Sequence, residues 1–95
     1  MNEVFQALSD PTRREILRLL RAGDRTAGDL ADQFPLAKST LSGHFGVLKH
    51  AGLIVAEKNG TSIVYSLNVS AVEQALAAAL ELLDVGKRPK KKPKP

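Results

Sequence analysis

KSTLSGHFGVLKHAGLIVAEKNGTSIVYSL, residues 38–67, changes its apolar period halfway along. Over residues 38–51, Leu41, Phe45 and Leu48 recur at three- and four-residue steps, the spacing of one buried helix face. Ala51-Gly52 supplies the stop. From residue 53 the period drops to two. Residues 53–58 and 61–67 form two strand-like runs around Asn59-Gly60, a strong short hairpin signal. A two-residue turn at Asn59-Gly60 sets Lys58 opposite Thr61, Ala56 opposite Ile63 and Ile54 opposite Tyr65. That register predicts a core face of Ile54, Ala56, Ile63, Tyr65 and Leu67.

Upstream of this stretch the apolar spacing is helical. Val4, Phe5 and Leu8 make a short stripe ahead of Ser9-Asp10-Pro11. Asp10 is a favoured N-cap and Pro11 a favoured first helical residue, so a second helix starts there. Its inward face is Ile16, Leu17 and Leu20, and Gly23 ends it. Thr26 and Asp29 have the spacing of a capping box, with Leu30, Ala31 and Phe34 turned inward and Pro35 as terminator. Phe34 to Ala37 then reads as a short turn between two helices. Downstream, Asn68 and Ser70 are candidate caps for a last helix over about 69–85. Its stripe is Val69, Val72, Leu76, Leu80 and Leu83. The fold class is therefore mainly α with a β-hairpin wing. The order helix, helix, helix-turn-helix, hairpin, helix is that of a winged helix-turn-helix.

Composition narrows the function. The chain has 95 residues, 43% apolar and 25% charged, as expected of one ordinary globular domain, here residues 1–85. Cysteine is absent, which excludes disulfides, thiol catalysis and thiolate metal sites. No run of about 18 apolar residues suggests a membrane span, and the start MNEVFQALSD lacks a basic leader region. By default the protein is expected to be cytoplasmic. The net charge is +4, but six of the fourteen basic residues lie in KRPKKKPKP, residues 87–95. Without them eight bases face ten acids, so residues 1–86 carry −2. Residues 86–95, alternating Lys and Pro, are expected to be a disordered basic tail. A nucleic-acid reading must rest on the middle of the chain.

Two segments resemble a known family. Asp10-Pro11-Thr12-Arg13-Arg14-Glu15-Ile16-Leu17 looks like the D-P-T-R-x-x-I-L signature of ArsR-type bacterial transcriptional repressors. Residues 42–53, SGHFGVLKHAGL, are similar to that family's S-x-H-L-x-x-L-x-x-A-G-L recognition-helix pattern. The resemblance covers about residues 1–85, and the short helix-first layout is similar to the SdpR-like autorepressor branch. It implies a two-fold homodimer that binds a double-stranded operator and is released by a signal. The family's metal sensors carry Cys near the third helix, or His and Asp on the last. Here those stretches read Thr26-Ala27-Gly28-Asp29-Leu30 and Val72-Glu73-Gln74-Ala75-Leu76, so no metal or other cofactor is expected. His44 and His50 do not share a helix face and have no carboxylate cluster beside them.

The residues expected to touch DNA follow from the helical wheel. Opposite the buried side of helix 38–51 lie Ser39, Gly43, Gly46 and His50, flanked by Thr40 and Ser42. This face has small hydrogen-bonding side chains and no acid, as a helix entering the major groove requires. Lys38 and Ser39 stand at the positive helix end, suited to a phosphate. Ala37 departs from the family pattern, which commonly has a Ser cap there. His44 sits at the edge of the buried arc and fits either a packed, hydrogen-bonded role or a base contact. Lys58, Asn59, Gly60 and Thr61 form the wing tip, placed for the minor groove or flanking phosphates. Arg13 and Arg14, at the start of a core helix, point to structural ion pairing more than to phosphate contact. The resemblance places the dimer interface on Val4, Phe5 and Leu8 of the first helix with Val72, Leu76, Leu80 and Leu83 of the last.

Other classes fit less well. A docking module for proteins would carry acidic or large apolar residues on the outer face of 39–50, and these are absent. Non-specific coating of nucleic acid by the lysine tail remains the other alternative, and it predicts no preference between operator and random duplex. Catalysis has no support, because no Gly-rich phosphate loop, paired carboxylate motif or Ser-His-Asp set occurs.

Overall fold

The computed structural model describes residues 2–83. The domain limit at residue 85 and the basic tail at 86–95 lie outside the described residues. Helices α1 (Asn2–Leu8) and α2 (Pro11–Arg21) are followed by a short strand β1 (Arg25–Thr26). Then come α3 (Ala27–Ala31), α4 (Lys38–His50), the hairpin β2 (Ile54–Asn59) and β3 (Ser62–Leu67), and α5 (Val69–Leu82). The helix-turn-helix is α3 and α4, and the hairpin is the wing.

Local chemistry sets the boundaries. The Asp10 carboxylate accepts from the Arg13 amide, capping α2 ahead of Pro11. Thr26 Oγ1 accepts from the Asp29 amide and caps α3. That helix ends at Ala31, four residues before Pro35, so Pro35 is not its terminator. The Gln33 and Phe34 amides instead turn back to the Leu30 and Ala31 carbonyls. At the end of α4 the Gly52 amide bonds the Lys49 carbonyl and the Leu53 amide bonds that of Leu48. Gly52 has φ 80, so this is a Schellman stop that glycine favours, and it buries Leu53 beside Leu48. Asn68 rather than Ser70 caps α5, accepting from the Ala71 amide while donating to the Gly52 carbonyl.

The sheet differs from expectation in three respects. It has three strands in the order β1-β3-β2, because Arg25 and Thr26 pair with Tyr65 and Val64. The hairpin turn is Gly60-Thr61, closed by the pair Asn59–Ser62, so Lys58 faces Ile63 and Ala56 faces Tyr65. Gly60, at φ 66, takes the first turn position, where the tight hairpin turns need a positive φ that glycine adopts without strain. The shift is by two residues, so the faces of the strands are kept. Ile63, however, is 41% exposed and leaves the expected core face, being too close to the wing tip to reach the core.

The core lies where α1, α2, α3 and α4 meet the inner face of the hairpin. Ala7, Ile16, Leu20, Leu30, Leu41 and Leu48 fill it, with Leu53, Ile54 and the ring pair Phe45–Tyr65 below. The two rings are 4.6 Å apart between centroids and tilted by 36°. Burying this apolar set fixes α4 with its remaining face turned outward.

Candidate nucleic-acid interface

On α4, Lys38, Ser39, Thr40, Ser42, Gly43 and Gly46 are all exposed, as are Lys49 and His50. The helix holds no acidic residue. Its N-cap Ala37 makes no side-chain cap bond. The positive helix end therefore opens beside Lys38 and Ser39, an arrangement suited to phosphate. Lys58, Asn59, Gly60 and Thr61 are exposed at the wing tip.

His44 is only partly accessible, its side chain 17% exposed. The Arg13 guanidinium lies 3.1 Å from Nδ1, and Asp10 Oδ2 lies 3.9 Å from the same nitrogen. Arginine only donates, so a neutral His44 ring accepts from it at Nδ1, whereas a charged ring turns that N–H toward Asp10. His44 thus ties the recognition helix to the start of α2. Burial works against the Asp10 carboxylate, but amide bonds from Arg13 and Thr12 and the neighbouring His44 and Arg13 outweigh it. Its pKa is held below the usual range.

The two arginines depart from the expected ion pairing. Arg13 donates to the Ala7 and Gln6 carbonyls at 2.9 Å each, and Arg14 to the Leu8 carbonyl at 2.7 Å. These are the end carbonyls of α1, which its own helix cannot satisfy. Short α1 has no basic residue in its last turn, so α2 adds donors to those of Ser9, whose amide and hydroxyl also bond the Gln6 carbonyl. The pattern Asp10-Pro11-Thr12-Arg13-Arg14 therefore folds the first two helices onto each other and braces the third contact at His44.

The outer face of α4 also continues onto α1, which the sequence did not indicate. Glu3 and Gln6 border a hollow of about 310 Å³ with Gly43, Gly46, Val47 and His50. A Cβ built on Gly43 or Gly46 would meet nothing within 4 Å. Neither glycine is needed for the packing of this chain.

A second surface lies on the far side. No residue of α5 is buried. Leu76 is 59% exposed and Leu83 67%, while Leu80, Phe5 and Leu8 are also exposed and Val4 and Val72 are half-buried. Val4, Phe5, Leu8, Val72 and Leu76 border an apolar groove of about 170 Å³ between α1 and α5. Among the described residues no group of three metal-ligating side chains occurs, and no helix is long and apolar enough to cross a membrane.

An acid-free exposed helix, held by a helical core and flanked by a lysine-bearing hairpin tip, defines a winged helix-turn-helix DNA-binding protein. The helix-turn-helix domain family matches residues 8–56. The transcriptional repressor SdpR of Bacillus subtilis is 44% identical over 86 residues, spanning 90% of this chain and 96% of that protein. A solved ArsR family transcriptional regulator is 36% identical, with a TM-score of 0.72 over 88% of this chain and 90% of the other. An ArsR-like transcriptional regulator from Rhodococcus sp. RHA1 gives 0.75 at 34% identity, over 86% and 76%. The chain belongs to the ArsR-type family of winged helix-turn-helix transcriptional repressors. It is a DNA-binding regulator and not an enzyme.

Proposed function

We propose that the protein is a homodimeric repressor whose two α4 helices enter successive major grooves of a pseudo-palindromic operator. The observation that carries this is the exposed face of α4, small, polar and free of acid, beside the wing tip. Ser39, Thr40, Ser42, Gly43 and Gly46 are assigned to base edges and the close approach they need. Lys38 and the wing tip Lys58–Thr61 are assigned to phosphate or the minor groove. For His44 the bond to Arg13 favours the packed role, holding α4 at its angle. The unburied apolar face of α1 and α5 is assigned to the partner protomer. Two linked protomers then set the half-site spacing.

The test is Ser42→Glu, measured on duplexes selected from a random pool. A carboxylate on this exposed position should leave the circular dichroism and melting unchanged and weaken binding by about 100-fold or more. Wild-type affinity at matched salt would remove α4 from the interface. Equal wild-type affinity for selected and random duplexes would favour non-specific coating instead.

A further inference from the structure

Helices α3 and α4 and strand β3 border a half-open pocket of about 230 Å³. Its inner wall is apolar, with Leu41 and Phe45 from α4 and Ile63 from the wing. Three hydrogen-bond donors also line it: Tyr65, Ser42 and Lys38. Tyr65 is 6% exposed, yet its hydroxyl has no hydrogen-bond partner among the described residues. A hydroxyl with no protein partner on a pocket-lining side chain is left to solvent or to a ligand. Ser42 and Lys38, which are exposed and so form the rim, are likewise unpartnered among the described residues. Ile63 is left exposed above the cavity. Burial pushes the Tyr65 phenol up, so it stays a donor at neutral pH.

Lys38 brings the positive charge, and the Tyr65 and Ser42 hydroxyls can both donate beside it, so a ligand with negatively charged acceptor oxygens is complementary. The apolar wall requires an apolar body. An apolar cavity of about 150 Å³ accommodates benzene, so this one has room for such a ring and a carboxylate. We propose that the cavity is a small-molecule site for an aromatic monocarboxylate, its ring against Leu41, Phe45 and Ile63 and its oxygens answering Tyr65, Ser42 and Lys38. Lys38 and Ser42 are the residues assigned above to DNA. An occupant that engages them competes with the duplex for the same side chains, so binding of ligand and duplex is mutually exclusive. That consequence rests on the proposed DNA interface; ligand binding itself does not.

The experiment uses benzoate as the probe and neutral benzamide as its control, on the full chain labelled with ¹⁵N and without DNA. Benzoate should give saturable amide shifts centred on Ala27, Ala31, Ser42 and Ile63, and benzamide should bind more weakly. Tyr65→Phe keeps the ring on Phe45 and should weaken benzoate about fivefold while leaving duplex affinity unchanged. Shifts centred elsewhere, non-saturating shifts, or wild-type benzoate affinity in Tyr65→Phe would overturn the site. Displacement of a labelled duplex by benzoate from wild type, and less readily from Tyr65→Phe, supports the competition. Saturable binding without displacement of a bound duplex overturns the competition alone. A wild type that binds no duplex but saturates with benzoate sinks the DNA reading and upholds the site.

Discussion

Asp10 joins three parts of the molecule, because it caps α2, sits beside His44 of α4 and neighbours Arg13, whose other donors close α1. Removing its carboxylate leaves the Arg13 amide uncapped and takes the negative charge from the His44 cluster. Asp10→Ala is expected to lower Tm by about 5 °C at neutral pH. The sign of its pH dependence follows from the depressed folded pKa. Stability from this group is present above the unfolded carboxylate value of about 3.9. It is lost as pH falls through the lower folded value. Melting wild type and Asp10→Ala at pH 7 and pH 2.5 should show the gap closing in acid, and a constant gap would rule out the carboxylate as its source. Gly43 and Gly46 argue the other way. Each lies inside a helix with nothing near its missing Cβ, so Gly→Ala at either should stabilise the fold by about 1 kcal/mol. Under the proposed interface the same substitutions should weaken operator binding, since the added methyl would stand on the face assigned to the duplex. Melting and duplex titration of the two variants separate these effects. Greater stability with unchanged affinity would mean the glycines are merely tolerated.

Elements carried by strong periodic or capping signals were legible before any coordinates. Leu41, Phe45 and Leu48 placed α4, Asp10-Pro11 placed α2, and Asn59-Gly60 placed the wing. What escaped was set by tertiary context. Strand β1 is two residues long and exists only because β3 offers an edge to Arg25 and Thr26, so no local pattern marks it. The turn moved by one position because Gly60, and not Asn59, takes the first position of the turn. Arg13 and Arg14 carry charge, which suggested ionic partners, whereas their partners are carbonyls that only the packing of α1 brings near. The exposed arc of α4 proposed to meet DNA was readable as free of acid, but its continuation onto Glu3 and Gln6 and the pocket at Tyr65 needed the assembled fold. The apolar excess of α5 was readable, and the structure leaves that stripe largely uncovered. Leu76→Asp or Leu80→Asp should therefore convert dimer to monomer in sedimentation and weaken operator binding with it. Neither side chain is buried in one protomer, so the monomer should stay folded. A wild type that sediments as a monomer at micromolar concentration would remove the assignment of this face.

Charge is distributed unevenly along the chain, and this determines how the complete protein should respond to salt. Residues 1–86 carry −2, while residues 87–95 carry six cations and no acid. Binding by α4 and the wing tip alone neutralises few phosphates, with Lys38 and Lys58 the cations of the proposed interface. The six further cations cannot distinguish base pairs by their charge, since a phosphate is the same at every step. They can displace counterions. If about three of them contact phosphate, log K against log salt steepens by about 0.9 for each. Between about 50 and 200 mM salt that extra slope amounts to about 40-fold in affinity per chain engaged. Because the effect is blind to sequence, selected and random duplexes should gain alike and their ratio should stay nearly fixed. Truncation after Val85, with both affinities measured at several salt concentrations, is the test. The expected result is a shallower slope for both duplexes with specificity retained. An unchanged slope would make the cations inert toward DNA, and a loss of specificity alone would assign them a reading role that charge cannot explain.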